Sequence, residues 1–395
     1  MKAYRIMMVA GEASGDTLAA ELIQALNAEV VRRRLPVILQ FGGAGGPRMA
    51  AVGARLKLDL TAHAVVGVWE VLKHYGKFRD FFYLLLREAQ QWQPDVIVLV
   101  DYPGFNLRFA RAIQAWSRSF GGPFHNWRPR LVYYVSPQVW AWHESRVRQI
   151  ARDVDLMLAI FPFEKAWYAE RVPQLPVVYV GHPLLDRHAA AKKTAQPCQA
   201  APSALPRVLL LPGSRVRELK KHLPVMLEAA RLIQDQVPSE FRLIAPNEDL
   251  AKLARSLVPT GLTLDLRVGG LGDALSNATV AIASSGTVTM ECAFYRVPTV
   301  VLYKVARPTY WLGRRFIRVK HIAMPNLLAG EALYPEYIQD MAEPGNLAQA
   351  VIKLLQDPAG REAIQRRLDQ VIESLGQPGA STRAARAILD QMNCG

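Results

Sequence analysis

The chain has 395 residues, 51% of them hydrophobic, and a formal net charge of +14 from 48 Lys plus Arg against 34 Asp plus Glu. That is enough chain for two or three domains with full cores, and the charge points to an anionic partner: nucleic acid, an acidic lipid surface or a phosphorylated substrate. The three cysteines, Cys198, Cys292 and Cys394, form no CxxC pair or metal-ligand spacing, which excludes a disulfide framework and a zinc site and fits a reducing cytoplasm. The first residues, "MKAYRIMMVAGEASGD", hold too short an apolar run for a signal peptide, and no segment approaches the roughly 18 apolar residues of a spanning helix.

In chain order, "YRIMMVA", "PVILQF", "DVIVLVD", "RLVYYVS", "LMLAIFP" and "PVVYVG" read as buried strands, with helices between them, among them Thr17 to Arg33 and Asn106 to Arg118. This is the βαβ rhythm of a parallel sheet covered on both faces. Residues 189–206, rich in Ala and Pro without apolar period, read as a linker between an N-terminal domain (1–188) and a C-terminal one (207–343). The rhythm restarts with "RVLLLPGSR", "FRLIAPN", "LTLDLRVG", "TVAIASSGT" and "PTVVLYK", so the expected fold is α/β: two Rossmann-like domains facing a central cleft. The tail, 344–395, reads as helical, interrupted at "GQPG" (Gly376 to Gly379), and is expected to pack back on the N-domain or on a partner chain in a homodimer.

Several signatures fail. There is no GxxxxGK[ST] loop, "GGAGGPRM" (Gly42 to Met49) lacks the third glycine of a dinucleotide fingerprint, and "GEASG" misses GxSxG by one position. "DVD" at Asp153 to Asp155 precedes a strand where the DxD of metal-dependent sugar transferases ends one. What holds is a set of polar or glycine-rich loops at strand carboxyl ends, where open α/β sheets bind ligands.

In "SSGT", small residues Ser284, Ser285, Gly286 and Thr287 let a helix N-terminus approach a phosphate, unless Ser284 and Thr287 merely cap the helix. Glu291, one turn on, suits the vicinal hydroxyls of a ribose. Arg215 in "LPGSR" offers a guanidinium fork to a diphosphate. In the N-domain, Asp101 ends an apolar strand and is either a cleft carboxylate, able to act as a general base, or a helix cap; Pro103 and Gly104, standing before the expected helix, favour the cleft. Glu12, Ser14 and Asp16 supply further polar groups, Asp16 being the expected cap of the first helix.

"GEASGD", "YYVSPQVWAW", "FPFE", "VGHPLLD", "LLPGSR", "SSGT", "MPN" and "PEYIQ" stand here in the order seen in lipid A disaccharide synthases, which the chain resembles from residue 11 to 339. The resemblance implies an inverting GT-B glycosyltransferase that needs neither cofactor nor metal. It would join UDP-2,3-diacylglucosamine to 2,3-diacylglucosamine 1-phosphate at the cytoplasmic face of the inner membrane. It further implies Asp101 as base, Glu12 and Ser14 lining the same cleft, and Asn326, Glu336 and Gln339 completing a donor side with Arg215, Ser285, Gly286, Thr287 and Glu291. One departure is "DYPGFN", with Gly104 where many relatives carry a second aspartate.

Acylated substrates require reach to an anionic membrane surface. Gly67 to Gln93 and Arg307 to Ile322 mix aromatic and basic residues as an interfacial helix does, although the first also fits a core helix with a basic back. Another GT-B UDP-sugar enzyme, a peptidoglycan-precursor transferase or an epimerase, is the rival reading. A nucleic-acid binder is disfavoured because the basic residues are scattered over both domains.

Overall fold

The computed structural model describes residues 2–63, 75–119, 126–194, 205–307, 310 and 319–392. The chain divides into two compact units, one of Met1–Lys193 with Leu375–Gly395, the other of Thr194–Ser374.

Among the described residues, the first unit carries a sheet of β1 (Lys2–Ala10), β2 (Val37–Gly45), β3 (Arg55–Asp59), β4 (Val96–Val100), β5 (Arg130–Tyr134), β6 (Leu156–Ala159) and β7 (Val177–Tyr179). All pair in parallel, in the order β3-β2-β1-β4-β5-β6-β7. The strand order reverses between β1 and β4, so the loops after these two strands flank a crevice at a topological switch point. β4 is buried along its whole length, as a strand covered on both faces must be. The sequence reading passed over β3, "RLKLD", whose alternating exposure marks a sheet edge.

The second unit repeats the plan with β8 (Arg207–Leu211), β9 (Glu240–Ala245), β10 (Leu264–Val268), β11 (Val280–Ser284), β12 (Thr299–Tyr303) and β13 (Glu336–Ile338), parallel in the order β10-β9-β8-β11-β12-β13. Its switch point lies between β8 and β11. Three-residue β13 is too short to leave a periodic signal in the sequence.

Two helices begin earlier than read: Ala13–Arg33 and Pro103–Ser119. Pro103 and Gly104 therefore do not separate Asp101 from the helix but open it, proline being suited to the first turn, where an N–H has no intrahelical partner. Asp16 is not the cap of its own helix either. Buried inside its first turn, it accepts from the amides of Gly46 (2.9 Å), Arg48 (2.9 Å) and Met49 (3.0 Å), and so caps the next helix, Pro47–Ala51.

The C-terminal helices divide between the units. Pro344–Gln356 packs on Val216–Gln234, and Pro358–Ser374 on Thr287–Phe294, within the second unit. The chain then turns at Gly376 and Gly379, both in the left-handed region (φ 79° and 108°), and Ala380–Gln391 packs on Ala13–Arg33. The Asp186 carboxylate caps that last helix, accepting from the amides of Gly379, Ala380 (3.1 Å) and Ser381 (3.0 Å). Arg33 pairs with Asp390 at 2.7 Å and Arg386 with the buried Glu29 at 3.2 Å.

Candidate active site

At the first switch point the chain leaves β4 through two successive residues in the left-handed region, Asp101 (φ 48°) and Tyr102 (φ 49°). Aspartate tolerates this conformation better than tyrosine, and such strain persists only where the surroundings over-determine it. Here they do. The Asp101 amide donates to Tyr134 O (2.9 Å), while its carbonyl accepts from the Tyr133 hydroxyl (2.6 Å) and Asn106 Nδ2 (2.7 Å). Asn106, fully buried, also donates from Nδ2 to Val9 O and Val100 O, tying β1 to β4. The Asp101 main chain is thus held by β5 and the helix behind it, and its side chain is half-buried. Burial, with the Asp101 charge second, raises the Tyr133 hydroxyl well above its ordinary pKa, so it stays protonated and donating.

The loop after β1 joins this one through the Tyr102 ring. A Cβ on Gly11 would lie 2.1 Å from that ring, so only glycine lets the two loops meet. Glu12, half-buried, stands at the N-cap position of Ala13–Arg33, and Ser14 is exposed in its first turn. The structure therefore brings Glu12, Ser14 and Asp101 to one end of the sheet on adjoining loops. Asn106, Tyr133, Tyr102 and Gly11, which hold them, were not singled out from the sequence; a buried asparagine in a first helical turn leaves no pattern there.

Beside them, "VSPQVWAW" and "FPFE" meet at one buried carboxyl. Glu164 Oε1 accepts from the Trp140 indole (3.1 Å), and Oε2 from the amides of Ile160 (3.1 Å) and Phe161 (3.0 Å). Burial pushes the Glu164 pKa from 4.5 up to about 7, against the lowering effect of these donors. The native state then binds a proton more tightly than the unfolded chain, so unfolding free energy falls as pH rises from about 4.5 to about 7. Glu164→Gln is expected to flatten that segment of the profile, read from urea midpoints across the window; an unchanged slope would assign it to another group.

In the second unit, the Pro212–Arg215 loop follows β8. Arg215 donates to Glu218 Oε1 (2.8 Å), whose other oxygen accepts from the Ser214 amide (3.0 Å). Ser285, Gly286 and Thr287 carry β11 into the helix Thr287–Phe294, with space open above Gly286 and with Glu291, half-buried, one turn on. Ser285 Oγ donates to Ile322 O (3.2 Å).

Asn326 and Glu336 face inward. Asn326, fully buried, bonds Tyr334 main chain through both amide atoms (2.8 Å each) and donates to Glu336 Oε1 (2.9 Å). Glu336 in turn accepts from the amides of Ile322 and Ala323. The pair braces the segment on which Ser285 rests. Gln339 lies apart from these, bonded to the Val305 main chain. His222, buried, accepts at Nε2 from the Lys304 amide (3.2 Å), so its Nδ1–H faces Pro212 O (2.9 Å) and ties the Arg215 loop to the end of β12. Burial lowers its pKa, which keeps this neutral tautomer in place.

Among the described residues, no group of three or more His, Cys, Asp or Glu is placed to hold a metal ion, and no helix is long and apolar enough to cross a membrane.

Solved structures of similar fold include two enzymes of sugar chemistry. UDP-N-acetylglucosamine 2-epimerase from Neisseria meningitidis bound to UDP-GlcNAc has a TM-score of 0.64 at 12% identity, covering 99% of this chain and all of that one. The calicheamicin glycosyltransferase CalG4 has 0.56 at 16%, covering 100% of both. These likenesses establish a GT-B fold alone. In sequence, residues 6–390 match the family model described as lipid-A-disaccharide synthetase. The lipid-A-disaccharide synthase of Geobacter sulfurreducens is 39% identical over 405 residues, covering 98% of this chain and 97% of that protein. With the match running nearly end to end and taking in both switch-point loop sets, the chain belongs to the lipid-A-disaccharide synthase family.

Proposed function

We propose that the chain transfers 2,3-diacylglucosamine from its UDP ester to the 6-hydroxyl of 2,3-diacylglucosamine 1-phosphate, releasing UDP. The acceptor oxygen attacks the anomeric carbon as the bond to the diphosphate breaks, the leaving electron pair goes to the β-phosphate, and the hydroxyl proton goes to Asp101. Inversion follows because attack comes from the face opposite UDP. The observation that carries this reading is the main-chain clamp on Asp101, which holds a carboxylate at the switch point in a strained conformation that packing alone would not select.

Glu12 and Ser14 hold acceptor hydroxyls. The N-terminus of Thr287–Phe294 with Arg215 stabilises the departing diphosphate, Arg215 exchanging Glu218 for phosphate, and Glu291 takes the ribose. Asn326 and Glu336 act through Ser285, and Gln339 through the segment after β12. The enzyme works at the cytoplasmic face of the inner membrane. Helix Tyr75–Trp92 supports this, since it exposes Tyr83 (53%) and Leu84 (46%) beside exposed Lys77, Arg79 and Arg87. Residues 67–74 of that candidate stretch, and 308–309 and 311–318 of the second, lie outside the described residues.

The test is UDP release by the purified chain. Release is expected only when both lipid substrates are present; release from the donor alone, or none with both, would refute the transfer.

A further inference from the structure

In the first unit the loop after β5 stands beside the Asp101 loop, because β5 pairs with β4. It leaves the strand through Val135, a β-branched residue in the left-handed region (φ 68°), and turns again at His143 (φ 57°). Such conformations persist only where neighbours fix them. The Val135 amide donates to Leu158 O (3.2 Å), Ser136 Oγ shares a hydrogen bond with the Tyr168 hydroxyl (3.1 Å), and Glu164 holds the Trp140 indole. The His143 carbonyl accepts from the Arg146 amide (3.0 Å), so the braced loop sets the position of Arg146.

Arg146 is half-buried, and its guanidinium carbon lies 5.6 Å from the centre of the Trp142 ring, within reach of a cation–π attraction. Its charge is felt at the Tyr133 hydroxyl, where it lowers a pKa that burial, Asp101 and Tyr168 raise. That hydroxyl donates to the Asp101 carbonyl (2.6 Å). Arg146 and the clamped aspartate therefore serve the same end of the sheet, from neighbouring strands of one unit. Among the described residues Arg146 forms no ion pair, and Glu144, the acid nearest to it in sequence, pairs with Arg171 (2.6 Å). A guanidinium in that position is a fork of donors that an anion can complete.

We propose that Arg146 binds the phosphate monoester of the acceptor sugar, with Trp142 restricting its guanidinium beside the Asp101 clamp. The proposal rests on the transfer reading above, in which the acceptor presents its 6-hydroxyl to Asp101. In a hexose the 6-oxygen and the anomeric oxygen stand on opposite sides of the ring oxygen, so the phosphate lies across one sugar ring from the attacking hydroxyl. Neighbouring strands are about 4.8 Å apart, roughly that width, which matches the step from the Asp101 loop to the Arg146 loop. The Trp142 ring limits the rotamers of Arg146, so less entropy is lost when the fork closes on phosphate.

The experiment is calorimetric titration of the full chain, in one detergent, with 2,3-diacylglucosamine 1-phosphate, with 2,3-diacylglucosamine and with UDP. Arg146→Met is expected to weaken the phosphorylated sugar by about 10- to 100-fold, the range of charge-assisted hydrogen bonds, and to bind the two sugars alike within about threefold. Arg146→Lys, which keeps the charge without the fork, should fall between Arg146→Met and the parent. Retained binding of the dephosphorylated sugar shows that the unit remains folded, and UDP affinity should stay within about twofold. Equal losses for both sugars would make Arg146 a brace of its loop, and an unchanged affinity for the phosphorylated sugar would remove it from the site; either result overturns the proposal. A parallel loss of UDP affinity would assign it to the donor and do the same. Flotation with phosphatidylglycerol vesicles gives the remaining arm: partition that falls in Arg146→Met while affinity for the phosphorylated sugar holds would make Arg146 a lipid-headgroup contact and refute the assignment. No titration requires turnover, so a failure of the transfer reading would show separately, as phosphate-dependent binding through Arg146 without UDP release.

Discussion

Asp101→Asn is expected to lower the rate of sugar transfer by about 10²- to 10⁴-fold, the range that a positioned general base contributes. The substitution keeps the size and shape of the side chain and removes only its ability to take a proton. The main chain should not move, because its amide is held by Tyr134 O and its carbonyl by Tyr133 and Asn106, none of which touches the carboxylate through these bonds. Thermal stability should therefore stay within about 1 kcal/mol of the parent, and donor affinity should be unaltered because the loops proposed to take UDP belong to the other unit. Single-turnover transfer with saturating donor and acceptor separates chemistry from product release. Transfer retained within tenfold would place the base elsewhere, with Glu12 on the adjoining loop the next residue to replace. Equal losses in Asp101→Asn and Asp101→Ala would show that the proton acceptance itself, rather than any packing, is what the residue supplies.

Asp16→Ala should produce the largest stability loss in the first unit. Asp16 is 2% exposed, and its two oxygens take the amides of Gly46, Arg48 and Met49. Alanine leaves two buried N–H groups, of Gly46 and Met49, and the part-buried one of Arg48 without an acceptor, and removes a carboxylate from the N-terminus of Pro47–Ala51. Hydrogen bonds to charged groups contribute about 1.5 to 3 kcal/mol each and share strain, so a loss of about 3 to 5 kcal/mol is expected. For a unit of this size that lowers the melting temperature by roughly 10 °C. Asp16→Asn, which keeps one acceptor oxygen, should lose less. Calorimetry should show the first unit's transition moving and the second unit's staying in place. A shift below about 1 kcal/mol would mean that water satisfies the three amides, and that Asp16 serves the site's chemistry instead.

The contrast between these two aspartates shows where sequence reading ran out. Both sit in polar loops at strand ends, and both have a cap as the alternative to a ligand contact. Counting residues to the next helix decided neither, because the helices begin at Ala13 and Pro103, several positions before their apolar periodicity does. First turns tolerate Ser, Gly, Pro and Asp, so they carry no apolar stripe to count. Asp101 is clamped through its main chain, and Asp16 caps a helix more than thirty residues away. Likewise Asn326 and Glu336 come from motifs that resemble donor contacts, yet their hydrogen bonds turn inward to hold Ile322, Ala323 and Tyr334.

By itself the sequence determined the strand runs, their parallel covered character and the loops at their carboxyl ends, because a strand buried on both faces must be continuously apolar and its ends must be polar. It also carried the family, through eight short motifs in order. It did not reach the edge strands β3 and β13, which are short or alternate in exposure, nor Glu164 as the meeting point of "VWAW" and "FPFE". Only the tertiary structure decided which polar groups are turned into the scaffold. That choice depends on partners 30 to 100 positions away, such as Val9 for Asn106 or Lys304 for His222, and hydrogen bonds between distant segments leave no periodicity in either of them.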